Sequence, residues 1–265
     1  AYAKNFDIDE LRLAVEYCHL YGVKLYVTVN TLVFDKEMRE LSDYAARLWE
    51  VGVDALIITD LGAIREIKRR VPNMELHAST QMSVHTASGV QALYEMGFKR
   101  VVLARECSYE DMCKITERTS AECEVFVHGA LCVCHSGQCL FSSVVGGRSG
   151  NRGECAQPCR LPYKNGKRTQ YPLSLKDLSL AKHVPALIDM GLASLKIEGR
   201  MKSPTYVLTV TRIWRRLLDE RRAATADEMR ELADAFSRGG FTDGYFTRHI
   251  DRSMLGVRSE RDKAQ

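Results

Sequence analysis

Five of the nine cysteines in this 265-residue chain, Cys132, Cys134, Cys139, Cys155 and Cys159, fall between positions 132 and 159. Thiolates are nucleophiles and soft metal ligands, so a cluster of them points to disulfides, a metal centre or redox chemistry. The odd total and the absence of a signal-like start disfavour disulfides and suggest a reducing, cytoplasmic compartment. The paired Cys-x2-Cys knuckles of structural zinc sites are also missing. An iron-sulfur cluster tolerates irregular spacing, and Gln157-Pro158-Cys159 sets a proline beside a ligand as such sites often do, while unligated thiols stay open as the plain alternative. Cys18, Cys107, Cys113 and Cys123 are scattered and read as small apolar residues.

Charge is distributed unevenly. Gly146 to Gln170 carries Arg148, Arg152, Arg160, Lys164, Lys167 and Arg168 against Glu154, and Lys196 to Arg222 carries eight basic residues against three acidic ones. The whole chain is only +4, so the remainder is acidic. One basic face on an acidic body suits a phosphate-bearing partner, although solvated helix faces would give the same count. With 45% hydrophobic and 27% charged residues, a disordered tail and a fibre are excluded. No apolar run is long enough to span a bilayer, so no membrane partner is expected. The start, Ala1 to Asn5, reads as a cut within a longer protein.

A repeated phrase must position these residues: an amphipathic helix ends in glycine and a β-branched strand follows. It occurs at Gly22 with Val23 to Val29, Gly52 with Val53 to Thr59, Gly97 with Phe98 to Ala104, and Gly191 with Leu192 to Ile197. Glycine accepts the left-handed conformation that commonly ends a helix. Met74 to Ser79, Glu122 to His128 and Tyr171 to Leu175 complete seven expected strands. Alternation at this spacing predicts an α/β fold, a TIM-like (β/α) barrel lacking its N-terminal strands. Residues 1–202 form the barrel, with a cysteine-rich insertion at 129–170. Residues 203–265 form a C-terminal helical extension, with helices over Tyr206 to Glu220 and Thr225 to Phe236 and then a glycine-rich turn, Gly239 to Gly244.

In such barrels chemistry gathers where strands end. Those ends hold Asn30, Asp60, Ser79 to Gln81, Arg105, His128, Lys176 with Asp177, and Glu198 with Arg200. Asn30 and Asp60 suit helix caps equally well, and His77 suits a satisfied core histidine as well as a site. Lys196 and Glu198 share one strand face, and a buried ion pair there is costly unless it has a task. We therefore assign His77, Lys196 and Glu198 to catalysis. Gln81, Arg200, His128, Arg148 and Arg152 are assigned to substrate binding. Arg200 and Lys196 suit a small dicarboxylate, and Glu198 suits proton movement.

The runs Glu124-Val-Phe-Val-His-Gly-Ala-Leu-Cys132, Ser136-Gly-Gln-Cys139, Asn151-Arg-Gly-Glu-Cys155-Ala-Gln-Pro-Cys159 and Ser194-Leu-Lys-Ile-Glu-Gly-Arg-Met-Lys202, with Phe241-Thr-Asp-Gly-Tyr245, resemble the collagenase-like peptidase family U32. The resemblance implies a branch that hydroxylates RNA bases, on tRNA uridine or rRNA cytidine, without oxygen and with prephenate as cosubstrate. It also implies a 4Fe-4S cluster held by Cys132, Cys139, Cys155 and Cys159, the last being the less secure match. RNA would then meet the basic residues of the cysteine loop and Arg212, Arg215 and Arg216. The alternatives are a peptidase, with Cys132 as nucleophile beside His128 or His135, and a cluster-bearing partner subunit. Neither a His-Glu-x-x-His nor a Gly-x-Ser-x-Gly motif supports hydrolysis.

Overall fold

The computed structural model of the protein describes residues 5–257. The first half alternates helix and strand: α1 (Ile8–Leu20), β1 (Tyr26–Val29), α2 (Met38–Glu50), β2 (Ala55–Ile58), α3 (Leu61–Arg70), β3 (Glu75–Ala78), α4 (Ala87–Glu95), β4 (Arg100–Val102), α5 (Tyr109–Thr116) and β5 (Glu122–Gly129). Next come α6 (Phe141–Gly146), β6 (Tyr163–Asn165), β7 (Arg168–Gln170), β8 (Asp177–Ser179), α7 (Val184–Asp189) and β9 (Ser194–Ile197). The chain continues through α8 (Pro204–Asp219), α9 (Ala226–Ala235), β10 (Phe241–Thr242) and α10 (Gly244–Thr247). Polar caps start several helices: Asp7, Asp60, Ser108 and Thr225 each accept backbone N–H bonds from the first turn.

Strands β1 to β5 lie side by side in parallel, and β9 extends the parallel sheet beside β5. The fold is α/β with a mostly parallel central sheet. Among the described residues β1 pairs with β2 alone, so barrel closure is not part of what is seen. One sheet face is apolar: Leu56, Ile58, Leu76, Ala78, Val101, Cys123 and Val125 are all buried and pack beneath the helices. Helix α8 adds Tyr206, Val210, Ile213, Trp214 and Leu217 to the same core. No helix among the described residues is long and apolar enough to cross a membrane.

Three local expectations change. Tyr171 to Leu175 is a turn rather than a strand, with the Ser174 N–H closing onto the Tyr171 carbonyl at 3.4 Å, because Pro172 has no N–H for a ladder. The strand begins instead at Asp177, as β8, and runs antiparallel to the end of β5. Asp177 therefore opens a strand instead of closing one, and its carboxylate, 1% exposed, accepts the Arg238 backbone N–H at 2.8 Å and the Arg238 guanidinium. The glycine-rich turn contains β10, which adds to β8 in parallel.

Candidate functional site

The other face of the sheet is polar. Register places His77 opposite Arg100 and Arg100 opposite Glu122, so the side chains of β3, β4 and β5 form rows across it. His77, 1% exposed, donates from Nε2 to Glu75 at 2.8 Å. Burial pushes its pKa down, more than Glu75 can raise it, which keeps the ring neutral near pH 7. Arg100 pairs with Glu122 at 2.7 Å, and Glu124 sits between Arg100 at 3.4 Å and Lys196 at 2.8 Å. Burial pushes the Glu124 carboxyl up, but Lys196 and Arg100 outweigh it and hold the group below the ordinary carboxylate range. Lys196 thus takes Glu124, not Glu198, as its partner.

Above this ladder, Arg105 lies over the Phe126 ring at 4.1 Å, and the Lys196 ammonium approaches the same ring at 5.5 Å. Glu198 faces Arg105 at 3.6 Å and accepts the Arg200 backbone N–H at 3.0 Å. Gly129 permits this approach, because a Cβ at its φ of +111° would stand 2.7 Å from the Glu198 Cβ. The Arg105 side chain is only 12% exposed, and its Nε is buried without a hydrogen-bond partner. Sequence reading placed Arg105 on the rim but gave it no task. The signal available was its position at a strand end, since an orphaned donor appears only in three dimensions.

His128 leaves the group. Between Phe126 and His128 the pairing with β9 slips, so that Phe126 opposes Lys196 and His128 opposes the next residue, Ile197. This β-bulge turns His128 to the opposite face from Phe126. Its ring is 1% exposed among Tyr206, Trp214 and Phe241, with both ring nitrogens lacking hydrogen-bond partners. The ring is closed off from solvent, whereas Cys132 is exposed.

The cysteine loop folds over the strand ends on a set of specific bonds. Ser136 donates its backbone N–H to Glu106 at 3.1 Å and accepts Ser83 at its carbonyl. Gly137 packs directly on the Gln81 backbone, where any Cβ would collide. Asn151 accepts the Leu32 N–H at 2.9 Å and donates to the Gln81 side chain. Arg152 forks onto Glu37 at 3.0 and 2.8 Å, and this bond leads in holding the Glu37 carboxyl down at about 2. Arg160 is drawn inward to the Leu131 and Leu175 carbonyls. Arg148 turns its Nε to the Glu154 carbonyl at 2.9 Å. The loop is therefore ordered by hydrogen bonds.

Cys132, Cys139 and Cys155 each lie near enough to Cys159 for their charge to act on it. Burial pushes the Cys159 thiol up, Arg160 opposes this, and Cys132, Cys155 and Cys139 add to it. The Cys155 sulfur accepts the Gln157 N–H at 3.4 Å and Ser142 Oγ at 3.7 Å. Cys134 stands beside Cys139. No group of three or more His, Cys, Asp or Glu side chains among the described residues stands in metal-binding geometry. The four thiols, their N–H donor and the adjacent Arg160 nonetheless fit a thiolate-held cluster in number and kind.

Much of the expected basic surface is engaged within the fold. Arg212 pairs with Glu231, Arg215 with Asp219 at 2.7 Å, and Arg216 with Glu228 at 2.6 Å. Lys164, Lys167 and Arg168 differ: they are exposed on the two-stranded β6–β7 hairpin and enter no ion pair among the described residues.

Between the loop and the ends of β2 and β3 lies a cavity of about 610 Å³. Thr59, Gln81, Gln138, Cys139 and Asn151 give it a polar wall, while Leu61, Met82 and Leu140 give it an apolar one. Asp60 lines it too, but as a cap, since its oxygens accept the N–H groups of Gly62, Ala63 and Val33.

A sequence profile of Peptidase family U32 matches residues 1–255. A 23S rRNA 5-hydroxycytidine C2501 synthase of Escherichia coli is 41% identical over 255 residues, covering 94% of this chain and 37% of that protein. A tRNA hydroxylation protein P1 of Bacillus subtilis is 39% identical over 230 residues, covering 82% and 54%. A collagenase of Porphyromonas gingivalis is 32% identical over 270 residues, covering 92% and 64%. The chain thus spans between 37% and 64% of the length of these relatives.

Proposed function

We propose that this chain, which belongs to peptidase family U32, contributes the substrate-binding and redox portion of an enzyme that hydroxylates a pyrimidine in tRNA or rRNA without oxygen. The observation that carries this reading is an unpaired basic hairpin directly after four gathered thiols, in a chain whose relatives are named for RNA hydroxylation. We read the parallel strands as an arc of a (β/α) barrel whose mouth the cysteine loop covers. Cys132, Cys139, Cys155 and Cys159 would hold a 4Fe-4S cluster, which when bound supplies one-electron transfer. Arg105, Lys196 and Arg200 bind the carboxylates of a small dicarboxylate such as prephenate, because guanidinium and ammonium groups give charge-assisted bonds to carboxylates. Glu198, beside Arg105, moves a proton, and neutral His77 steadies the floor through Glu75.

RNA docks on Lys164, Lys167 and Arg168. Replacing all three by Ala is expected to lower the salt dependence of RNA binding by roughly two to three units of slope, about one for each phosphate contact. Arg152→Ala should leave that slope unchanged, since its guanidinium holds Glu37. The test of function is nucleoside mass analysis of tRNA and rRNA from cells lacking the protein, before and after complementation. Unchanged hydroxylated nucleosides, together with gelatin cleavage by the iron-free protein, would establish the peptidase reading instead.

A further inference from the structure

We propose that the cavity beneath the cysteine loop receives the base to be modified, a pyrimidine swung out of its RNA; this rests on the RNA-hydroxylation reading and gives it a site. Its volume, about 610 Å³, falls in the range of pockets that take small ligands. Among the described residues no lysine or arginine lines it, and its one carboxylate, Asp60, already accepts three backbone N–H groups. A dicarboxylate placed there would bring uncompensated charge beside Asp60, so the occupant is neutral. That separates this cavity from the cationic group around Arg105 and Lys196.

The cavity also holds an unmet demand. Thr59, 9% exposed, is one of its lining residues and has a buried hydroxyl with no hydrogen-bond partner. A buried hydroxyl without a partner is costly, and a ligand group at that point would relieve it. The amides of Gln81, Gln138 and Asn151 offer both donors and acceptors, as the edge of a pyrimidine does. Leu61, Met82 and Leu140 supply apolar contact for its flat faces, the usual way an extruded base is held. Cys139, one of the gathered thiols, stands in the same wall, so a base seated here lies next to the proposed redox centre.

The test uses the full-length protein and two RNA stem-loops of one sequence: one carries a pyrrolocytosine in its loop, whose fluorescence reports unstacking, and the other keeps the natural pyrimidine, on which hydroxylation is measured because the fused ring of the probe occupies C5. Thr59→Val removes the hydroxyl and keeps the shape, and Thr59→Ser restores it. Gln138→Leu alters an exposed loop position and gives up a surface contact to Ser83 Oγ at 3.2 Å. Both Thr59→Val and Gln138→Leu are expected to keep RNA affinity within about twofold of wild type. In both, the fluorescence change and the hydroxylated nucleoside should fall about tenfold, the upper scale of one lost hydrogen bond. Thr59→Ser should recover most of each signal. Wild-type fluorescence and wild-type hydroxylation in both variants would overturn the proposal. If the wild-type protein binds RNA yet modifies none, the hydroxylation reading fails, while the fluorescence arm still decides whether a base enters this cavity.

Discussion

Alanine at Cys132, Cys139 or Cys155 is expected to strip the iron from anaerobically purified protein and to lower RNA hydroxylation by at least on the order of a hundredfold, whereas Cys18→Ala changes neither. The contrast follows from position. Cys18 lies on α1, remote in sequence from the loop, while the other three all lie near enough to Cys159 for their charge to act on it. Removing one thiolate would leave the proposed cluster short of a ligand and prone to lose iron. Cys159→Ala decides the fourth ligand: retained iron there would pass that role to Cys134, which stands beside Cys139. Iron and acid-labile sulfide per chain, with visible absorption, measure the outcome. Iron-free wild-type protein after anaerobic reconstitution, or full iron in Cys139→Ala, would remove the cluster from the account, and stoichiometric zinc in its place would identify a structural zinc site.

What the sequence disclosed, and what it hid, follows the range of the forces involved. Strands β1, β2, β4 and β9 were legible because the signal is local: glycine ends the preceding helix and a strand-forming run follows, while β3 and β5 followed from the same rhythm after Pro72 and a polar turn. Gly22, Gly52, Gly97 and Gly191 all adopt positive φ, as that reading requires. Tyr171 to Leu175 forms no strand, since Pro172 lacks the N–H a ladder needs, and β8 is hidden in the sequence because it is only three residues long and pairs with a distant strand in the antiparallel sense. Strict alternation put His128 on the same face as Phe126, and the bulge reversed it. Nothing in the neighbouring residues announces a bulge of this kind.

Charge was legible as a count and illegible as a surface. Arg152 and Arg216 add to the basic segments, yet each is matched by a carboxylate far along the chain or on another helix, Glu37 and Glu228. The same holds within the sheet, where Lys196 meets Glu124 from a neighbouring strand in place of Glu198 from its own. Register sets Lys196 opposite Phe126 and diagonal to Glu124, a separation that a long lysine side chain spans, so the pairing is made across strands. The orphaned Arg105 Nε and Thr59 hydroxyl are the opposite case: their meaning lies in contacts not made, which only the folded chain can reveal.

His128 supplies a large effect on stability. In the unfolded chain its imidazole takes a proton below about pH 6.5. In the fold, burial among Tyr206, Trp214 and Phe241, with Lys202 adding to the effect, pushes its pKa down to about 3. Between these values the unfolded state binds more protons than the folded one, so stability rises with pH and is lost as pH falls from 6.5 towards 3. The loss amounts to about 2 kcal/mol by pH 5, at about 1.36 kcal/mol for each unit below 6.5. Phenylalanine fills the same space with no nitrogen to leave unbonded. His128→Phe is therefore expected to match or exceed wild type at pH 7, and to lack this share of the acid-induced loss. Urea unfolding of both proteins at pH 7 and pH 5 gives the difference directly, with every other titrating group common to the pair. Parallel pH dependence in the two proteins would mean that His128 is hydrated or hydrogen-bonded in solution, and that the bulge does not bury it as described.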